Sequence, residues 1–363
     1  MFEKKSWSKM LAAASLTLGL GMGQLATADD DPLKVGFVYV GPVGDYGWSY
    51  EHDRGRLGAQ EHFGDKIKTT YVEQVPEGAD AERVIRQMAR NGHDIIFTTS
   101  FGYMNPTIKV AKSFPNVTFE HATGYKRSEN VSTYLLRTYE GRYVSGVAAG
   151  LETKTNTIGY IASFPIPEVI RDINTVYMAA KTVNPDVEIK IMWVSTWYDP
   201  VKENEAANAL IDQGADVILQ HTDSPAALIA AEKRGVKGIG QASDMSKFAP
   251  NAHMLSVQNK WSNHYIKTIQ EVMDKTWAPE DFWGGFKEEM LLISSVNDNL
   301  PKATKDAIAK SFDDIKSGKL KPFTGPIYDN QGNLVVKDGH SLTDEELAGV
   351  NWYVKGIDAT IPK

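Results

Sequence analysis

The strongest constraint on the fold of this chain is an alternation that runs from Val35 to Ser294. Through most of this span, short apolar runs of strand length alternate with stretches of helical apolar spacing. The strand-like runs fall at residues 35–40, 68–72, 94–98, 117–121, 131–136, 157–161, 188–193, 217–220, 236–240, 253–257 and 289–294. Helices are expected at 50–63, 80–91, 103–114, 139–152, 167–183, 200–213, 226–234, 261–275 and 301–316. Such a pattern specifies parallel βαβ units, an α/β fold. At 363 residues the chain is long for a single core, since cores stop growing beyond about 250–300 residues, and two lobes follow.

An internal echo supports two similar lobes facing each other across a cleft. Ala79-Asp80 through Gly92-His93-Asp94-Ile95-Ile96-Phe97-Thr98 and Asp199-Pro200 through Gly214-Ala215-Asp216-Val217-Ile218-Leu219-Gln220 share one grammar: helix, Gly turn with an Asp, apolar strand, polar loop. From Lys321 onward the character changes, and 325–336 reads as a β-hairpin around Asn330-Gln331-Gly332-Asn333, appended to the second lobe. The lobes are expected to comprise residues 29–138 plus 258–288, and 139–257 plus 289–363.

The first strand runs straight into Gly41-Pro42-Val43-Gly44-Asp45-Tyr46-Gly47-Trp48-Ser49-Tyr50. In open α/β sheets ligands sit just past such strand ends. Asp45 offers a carboxylate there and Trp48 an indole face for stacking. The segment alone leaves another reading open, in which Trp48 packs under the loop and Asp45 caps the helix.

Other strand ends carry Phe101, Phe164, Trp197, Asp223 and Asp244, each in a polar or aromatic loop directed at the expected cleft. Aromatics with a few carboxylates suit a flat, nitrogen-rich heterocycle. Stacking holds its faces while Asp oxygens accept hydrogen bonds from ring N–H groups and amines. Asp199, just before Pro200, has helix capping as its competing role. His121 and His221 end strands and are read as structural; His52 and His62 are expected on the solvent side of the first helix.

Catalytic patterns are missing. There is no Gly-x-Gly-x-x-Gly after the first strand, no Walker A sequence, no His-Glu-x-x-His and no Gly-x-Ser-x-Gly, so no cofactor, metal or enzymatic role is expected. The formal charge of −7 argues against nucleic acid as a partner. Lys4, Lys5 and Lys9, an apolar run over 10–22, and Leu25-Ala26-Thr27-Ala28 read as a Sec-type signal peptide, residues 1–28, which implies a periplasmic protein. The chain has no cysteine, so neither disulfides nor a lipid-bearing cysteine is expected.

Several segments, in order, resemble the basic membrane protein (Bmp) family of ABC-transporter substrate-binding proteins, which includes purine nucleoside receptors. They are the Asp45-to-Tyr50 loop, Glu140-Gly141-Arg142-Tyr143-Val144-Ser145-Gly146, Ile166-Pro167-Glu168-Val169-Ile170-Arg171, Asp199 through Ile218, Ile239-Gly240-Gln241-Ala242-Ser243-Asp244, and Lys260. The resemblance implies a type I periplasmic-binding-protein fold, two Rossmann-like lobes joined by a three-strand hinge. It implies a monomer that delivers a purine to a membrane permease. On this likeness Asp45 would hold a polar edge of the base, Trp48 would replace a stacking Phe, and Lys260 would contact ribose. Ala242 stands where nucleoside-binding relatives have an Asp, and His221-Thr222-Asp223-Ser224-Pro225 replaces a glycine-rich loop. Both departures favour a free base, adenine-like or oxidised, over its nucleoside. A nucleoside receptor, a sensory receptor and, less favoured, a nucleoside hydrolase are the alternatives.

Overall fold

A computed structural model of the protein describes residues 31–44 and 46–362; the expected leader, residues 1–28, and Asp45 lie outside them. The chain first lays down β1 (Leu33–Val38), α1 (Gly47–Phe63), β2 (Ile67–Val72), α2 (Ala79–Arg90), β3 (Ile95–Thr98), α3 (Met104–Ala111), β4 (Thr118–Ala122) and β5 (Val131–Leu136). These strands form a parallel sheet in the order β5-β4-β3-β1-β2. All four residues of β3 and all six of β5 are buried, as expected of strands covered on both faces. The cover is amphipathic: α2 turns Ala81, Val84, Ile85, Met88 and Ala89 inward at helical spacing and keeps its charged residues outside.

A second parallel sheet follows, built from α4 (Thr138–Glu152), β6 (Thr157–Ala162), α5 (Pro167–Val183), β7 (Glu188–Trp193), α6 (Pro200–Asp212), β8 (Val217–Gln220), α7 (Ala226–Arg234) and β9 (Lys237–Ile239). Its order is β7-β6-β8-β9. The echo seen in the sequence corresponds to α2–β3 in one sheet and α6–β8 in the other. Asp94 accepts the Lys34 N–H at 2.7 Å, and Asp216 accepts those of Lys154 and Thr155 at 2.7 and 3.1 Å, so each Asp ties its strand entrance to a neighbouring segment.

The chain then returns. β10 (Ser256–Asn259) leads to α8 (Ser262–Met273), which packs on α1, and to β11 (Asp281–Gly284), which pairs parallel with β5 and becomes the sixth strand of the first sheet. β12 (Leu291–Ser294) then leads to α9 (Lys302–Lys316) on α4, the antiparallel pair β13 (Ile327–Tyr328) and β14 (Leu334–Val336), and α10 (Asp344–Ala348). Among the described residues no helix is long and apolar enough to cross a membrane.

The runs at 253–257 and 289–294 fall where the chain passes between the two sheets: His253 makes a parallel bridge to Gly238 of β9, and β10 and β12 pair antiparallel with each other, Ser256 opposite Ser294. Two expectations change. β11 carries no periodic signal in the sequence, because Asp-Phe-Trp-Gly holds only two apolar residues. His52 is fully buried, its ring stacked on Trp261 at 4.2 Å. It faces inward because α8 covers that side of α1.

Candidate functional site

Both sheets follow the doubly wound rule, with a strand-order reversal between β1 and β3 in the first and between β6 and β8 in the second. Crevices form where the order reverses, beyond the carboxyl ends of the strands. The two crevices here face each other. A cavity of about 360 Å³ lies between them, in the size range of small-molecule sites. Val40 follows β1, Ser100 and Phe101 follow β3, and Thr123 follows β4. From the other sheet come Ile166 and Glu168 after β6, Trp197 after β7, His221 and Asp223 after β8, and Gln241 after β9.

The start of α1 is held across the cleft. The first N–H groups of a helix have no partner within it, and here residues of the opposite sheet accept two of them. Gly47 N–H donates to Ser243 Oγ at 2.8 Å and Trp48 N–H to Asp223 Oδ1 at 3.1 Å. Gly47 has φ +79°, and a Cβ on it would sit 2.3 Å from the Asp223 carbonyl oxygen. Only glycine fits. A further cross-cleft bond joins Trp197 Nε1 to Glu77 Oε1 at 3.2 Å.

Buried polar groups set the chemistry of the cavity. Burial is the largest influence on Asp223 and outweighs the Trp48 N–H, pushing the carboxyl up to about 7. Its loop is fixed from behind: Gln220 Nε2 donates to the carbonyls of Thr222 and Ser224 at 2.7 Å, and Ser224 Oγ donates to Glu203 at 2.7 Å. Glu168 Oε1 lies 3.4 Å from His221 Nε2, while Glu168 Oε2 has no hydrogen-bond partner among the described residues. Arg142 pairs with Asp172 at 3.2 Å and donates to Gln241, which positions Gln241 at the cavity wall. Trp48 donates from Nε1 to the Thr99 carbonyl at 2.6 Å and meets Trp261 edge-on at 5.3 Å. The indole is therefore both cavity wall and core. The arrangement offers flat apolar faces with carboxyl acceptors between them and suits a planar ligand rich in N–H groups.

The sequence-derived candidates divide into groups. Trp48, Phe101, Trp197 and Asp223 border this cavity together. Phe164 is half-buried against Trp197, ring centroids 4.9 Å apart, behind the wall. Asp244 and Lys260 border a different, polar cavity of about 1060 Å³, beyond the Gly47–Ser243 contact. Asp244 is already engaged there. Burial pushes it up, but hydrogen bonds from Ser295, Ser246 and Ser256 outweigh that and hold its carboxyl below the ordinary value. Asp45 lies outside the described residues. Asp199 caps α6, accepting the N–H groups of Val201 and Lys202 at 3.1 Å.

Sequence reasoning did not single out Glu168, Gln241, Ser100 or Thr123. Glu168 had a usable signal, an acid directly after the N1 proline of a helix that follows a strand end. Thr123 had none, because no helix separates β4 from β5 and only the first residues of the loop between them, Thr123 to Tyr125, border the cavities at the cleft.

The chain is similar to several known proteins. A purine-binding protein of Brucella abortus is 50% identical over 345 residues, 95% of this chain and 98% of that one. A putative ABC transporter glucose-binding protein of Haloferax volcanii is 36% identical, covering 98% of this chain and 89% of the relative. Among solved structures, a solute-binding protein of an ABC transporter system from Aeropyrum pernix superposes with a TM-score of 0.70 at 20% identity, over 80% of this chain and 93% of that one. One from Conexibacter woesei gives 0.63, also at 20% identity, over 79% and 97%. These two bear on the fold alone, a two-lobed periplasmic-binding type. Residues 33–331 match the family described as ABC transporter substrate-binding protein PnrA-like, so the chain belongs to the Bmp family of ABC-transporter substrate-binding proteins.

Proposed function

We propose that the protein is the periplasmic receptor of an ABC importer and captures a purine as the free base between two closing lobes. It then presents the closed form to a membrane permease, as a monomer released from its leader. Hinge closure around the ligand is the motion such two-lobed proteins use. Trp48, Phe101 and Trp197 supply the faces that hold the ring, and Asp223 and Glu168 accept its N–H groups.

One observation carries the preference for base over nucleoside. The residues that family likeness assigns to ribose, Lys260 and the Ala242–Asp244 stretch, do not open onto the base cavity; Gly47, Ser243 and Asp223 close that side with direct hydrogen bonds. A sugar there would have to break those bonds, which leaves either its own hydroxyls or the groups it displaces unpaired. An unmet buried hydroxyl costs on the order of 1–3 kcal/mol, so a free base is expected to bind about ten- to a hundredfold tighter than its nucleoside. Calorimetric titration with adenine, guanine, xanthine, adenosine, guanosine and glucose tests this. Tighter binding of the nucleosides would overturn the preference, and binding of glucose alone would overturn the purine reading.

Closure on this reading is linked to protons. In the closed arrangement Asp223 and Glu51 are both pushed up to about 7, burial being the main cause for each. Glu51 faces Ser243, Lys260, Arg54 and Asp244; Asp223 faces Trp48 N–H, Glu203, His221 and Glu168. Opening returns both carboxyls to water and to ordinary values near ~4. The closed form therefore binds more protons between about pH 4 and 7, and closure weakens as pH rises through 7. Small-angle scattering of the ligand-free protein should give a smaller radius of gyration at pH 6 than at pH 8. The double variant Asp223→Asn, Glu51→Gln should lose that difference; an equal or larger radius at pH 6 in the unaltered protein contradicts the linkage.

A further inference from the structure

Beside the main cavity lies a second compartment of about 300 Å³, and Phe101, Thr123, Ile166 and Glu168 border both, so the two spaces adjoin. Arg171 forms part of the wall of this side compartment. Glu168 and Arg171 are three residues apart near the start of α5, on one face of the helix. Arg171 is only 1% exposed. Its Nη1 donates to the Leu347 carbonyl at 2.7 Å and its guanidinium lies 5.2 Å from the Trp283 ring centroid. Nε and Nη2 have no hydrogen-bond partner among the described residues.

Those two nitrogens share one side of the guanidinium and form its two-pronged edge. Leaving buried donors unpaired is costly, and folded proteins seldom do so without a functional reason. A free, rigid fork anchored at its third nitrogen calls for two adjacent acceptors on a ligand. Next to it, Glu168 Oε2 is an acceptor that also lacks a partner among the described residues.

We propose that Arg171 reads the O6/N7 edge of a 6-oxopurine, with Glu168 accepting a ring N–H, so that the receptor selects oxopurines over aminopurines. The assignment rests on the purine reading given above and narrows it. A 6-oxopurine presents O6 and N7 as neighbouring acceptors, which an arginine fork meets bidentately; a 6-aminopurine puts a donor beside N7 and sets N–H against N–H. Adenine would then have to bind without the fork. The ring itself remains between Trp48 and the aromatics of the opposite sheet, which do not distinguish the two classes.

The test is calorimetric titration of the full-length mature chain with hypoxanthine, 7-deazahypoxanthine and adenine. Hypoxanthine should bind about ten- to a hundredfold tighter than either of the others, the discrimination expected of one bidentate pair. In Arg171→Met that advantage should vanish while adenine affinity stays within about threefold, since the standing purine contacts remain. Equal or tighter binding of adenine, 7-deazahypoxanthine binding as well as hypoxanthine, or a variant that loses both ligands equally would each overturn the assignment. Should Arg171→Met fail to fold, the comparison of hypoxanthine with its 7-deaza analogue in the unaltered protein decides by itself. Tight binding of adenine with weak hypoxanthine removes only the role of Arg171; failure of every purine removes the purine reading itself and this assignment with it.

Discussion

Gly47→Ala should cost the protein its tight ligand capture while leaving both lobes folded. The added Cβ would meet the Asp223 carbonyl oxygen at 2.3 Å and its Cβ at 2.7 Å. Those atoms belong to the opposite sheet, so the overlap exists only when the cleft is shut. A backbone carbonyl held by the Gln220 and Glu203 network cannot swing aside as a flexible side chain would. The local cost of φ +79° in alanine is about 1–2 kcal/mol and falls on folded open and closed forms alike. The clash falls on closure only. If it reduces the closed population to one part in a hundred, apparent affinity drops roughly a hundredfold, because a ligand binds only the competent fraction. Calorimetry should show that loss, and scattering with excess ligand should show an expanded particle. Affinity within a fewfold of the unaltered protein, with normal compaction, would mean that the Gly47–Asp223 contact is not part of the ligand-bound state.

The closing contact also explains what sequence could and could not reveal. Strand ends were readable because a β-run followed by Gly, Pro and polar residues is a local signal, and the doubly wound rule turns each such end into a cavity position. Trp48, Phe101, Trp197 and Asp223 were found that way. Which ends face one another depends on strand order, a non-local property that periodicity does not carry. Asp244 shows the consequence: it follows a strand that ends near the cleft, yet the Gly47–Ser243 bonds place it on the other side, together with Lys260, which family likeness suggested. His52 was misjudged for a related reason. Charged neighbours Glu51, Asp53 and Arg54 give α1 a polar look, and only the arrival of α8, more than two hundred positions later in the chain, buries that face. Arg171 sits in a helix whose burial is nearly all-round, so its sequence context does not mark it as different from a structural arginine.

Trp48→Ala should lower stability and affinity together, and their relative size separates wall from core. The side chain is 8% exposed, lies 4.6 Å from the His52 ring and 5.3 Å from that of Trp261, and bonds to the Thr99 carbonyl. Truncating a buried Trp of this kind costs about 3–5 kcal/mol. That loss alone would be expected of any core indole. The same ring borders the main cavity opposite Trp197, and if the cavity holds a purine as proposed, removing a stacking face costs about 1–3 kcal/mol per base. Trp197→Ala is the control, since Trp197 is half-buried and its indole N–H donates across the cleft to Glu77, while the Trp197 carbonyl that accepts Asp223 N–H is untouched by the substitution. It should weaken binding by about ten- to a hundredfold through lost stacking with little change in melting temperature. Trp48→Phe should regain most of the stability and stacking, while the Thr99 carbonyl goes without its donor at about 1–3 kcal/mol. Melting curves and titrations of the three variants, the latter made well below each melting point, give the comparison. A Trp48→Ala protein that melts early but binds purine as tightly as the parent would assign the indole to the core alone, and the ring-binding face of the first lobe would then have to be Phe101.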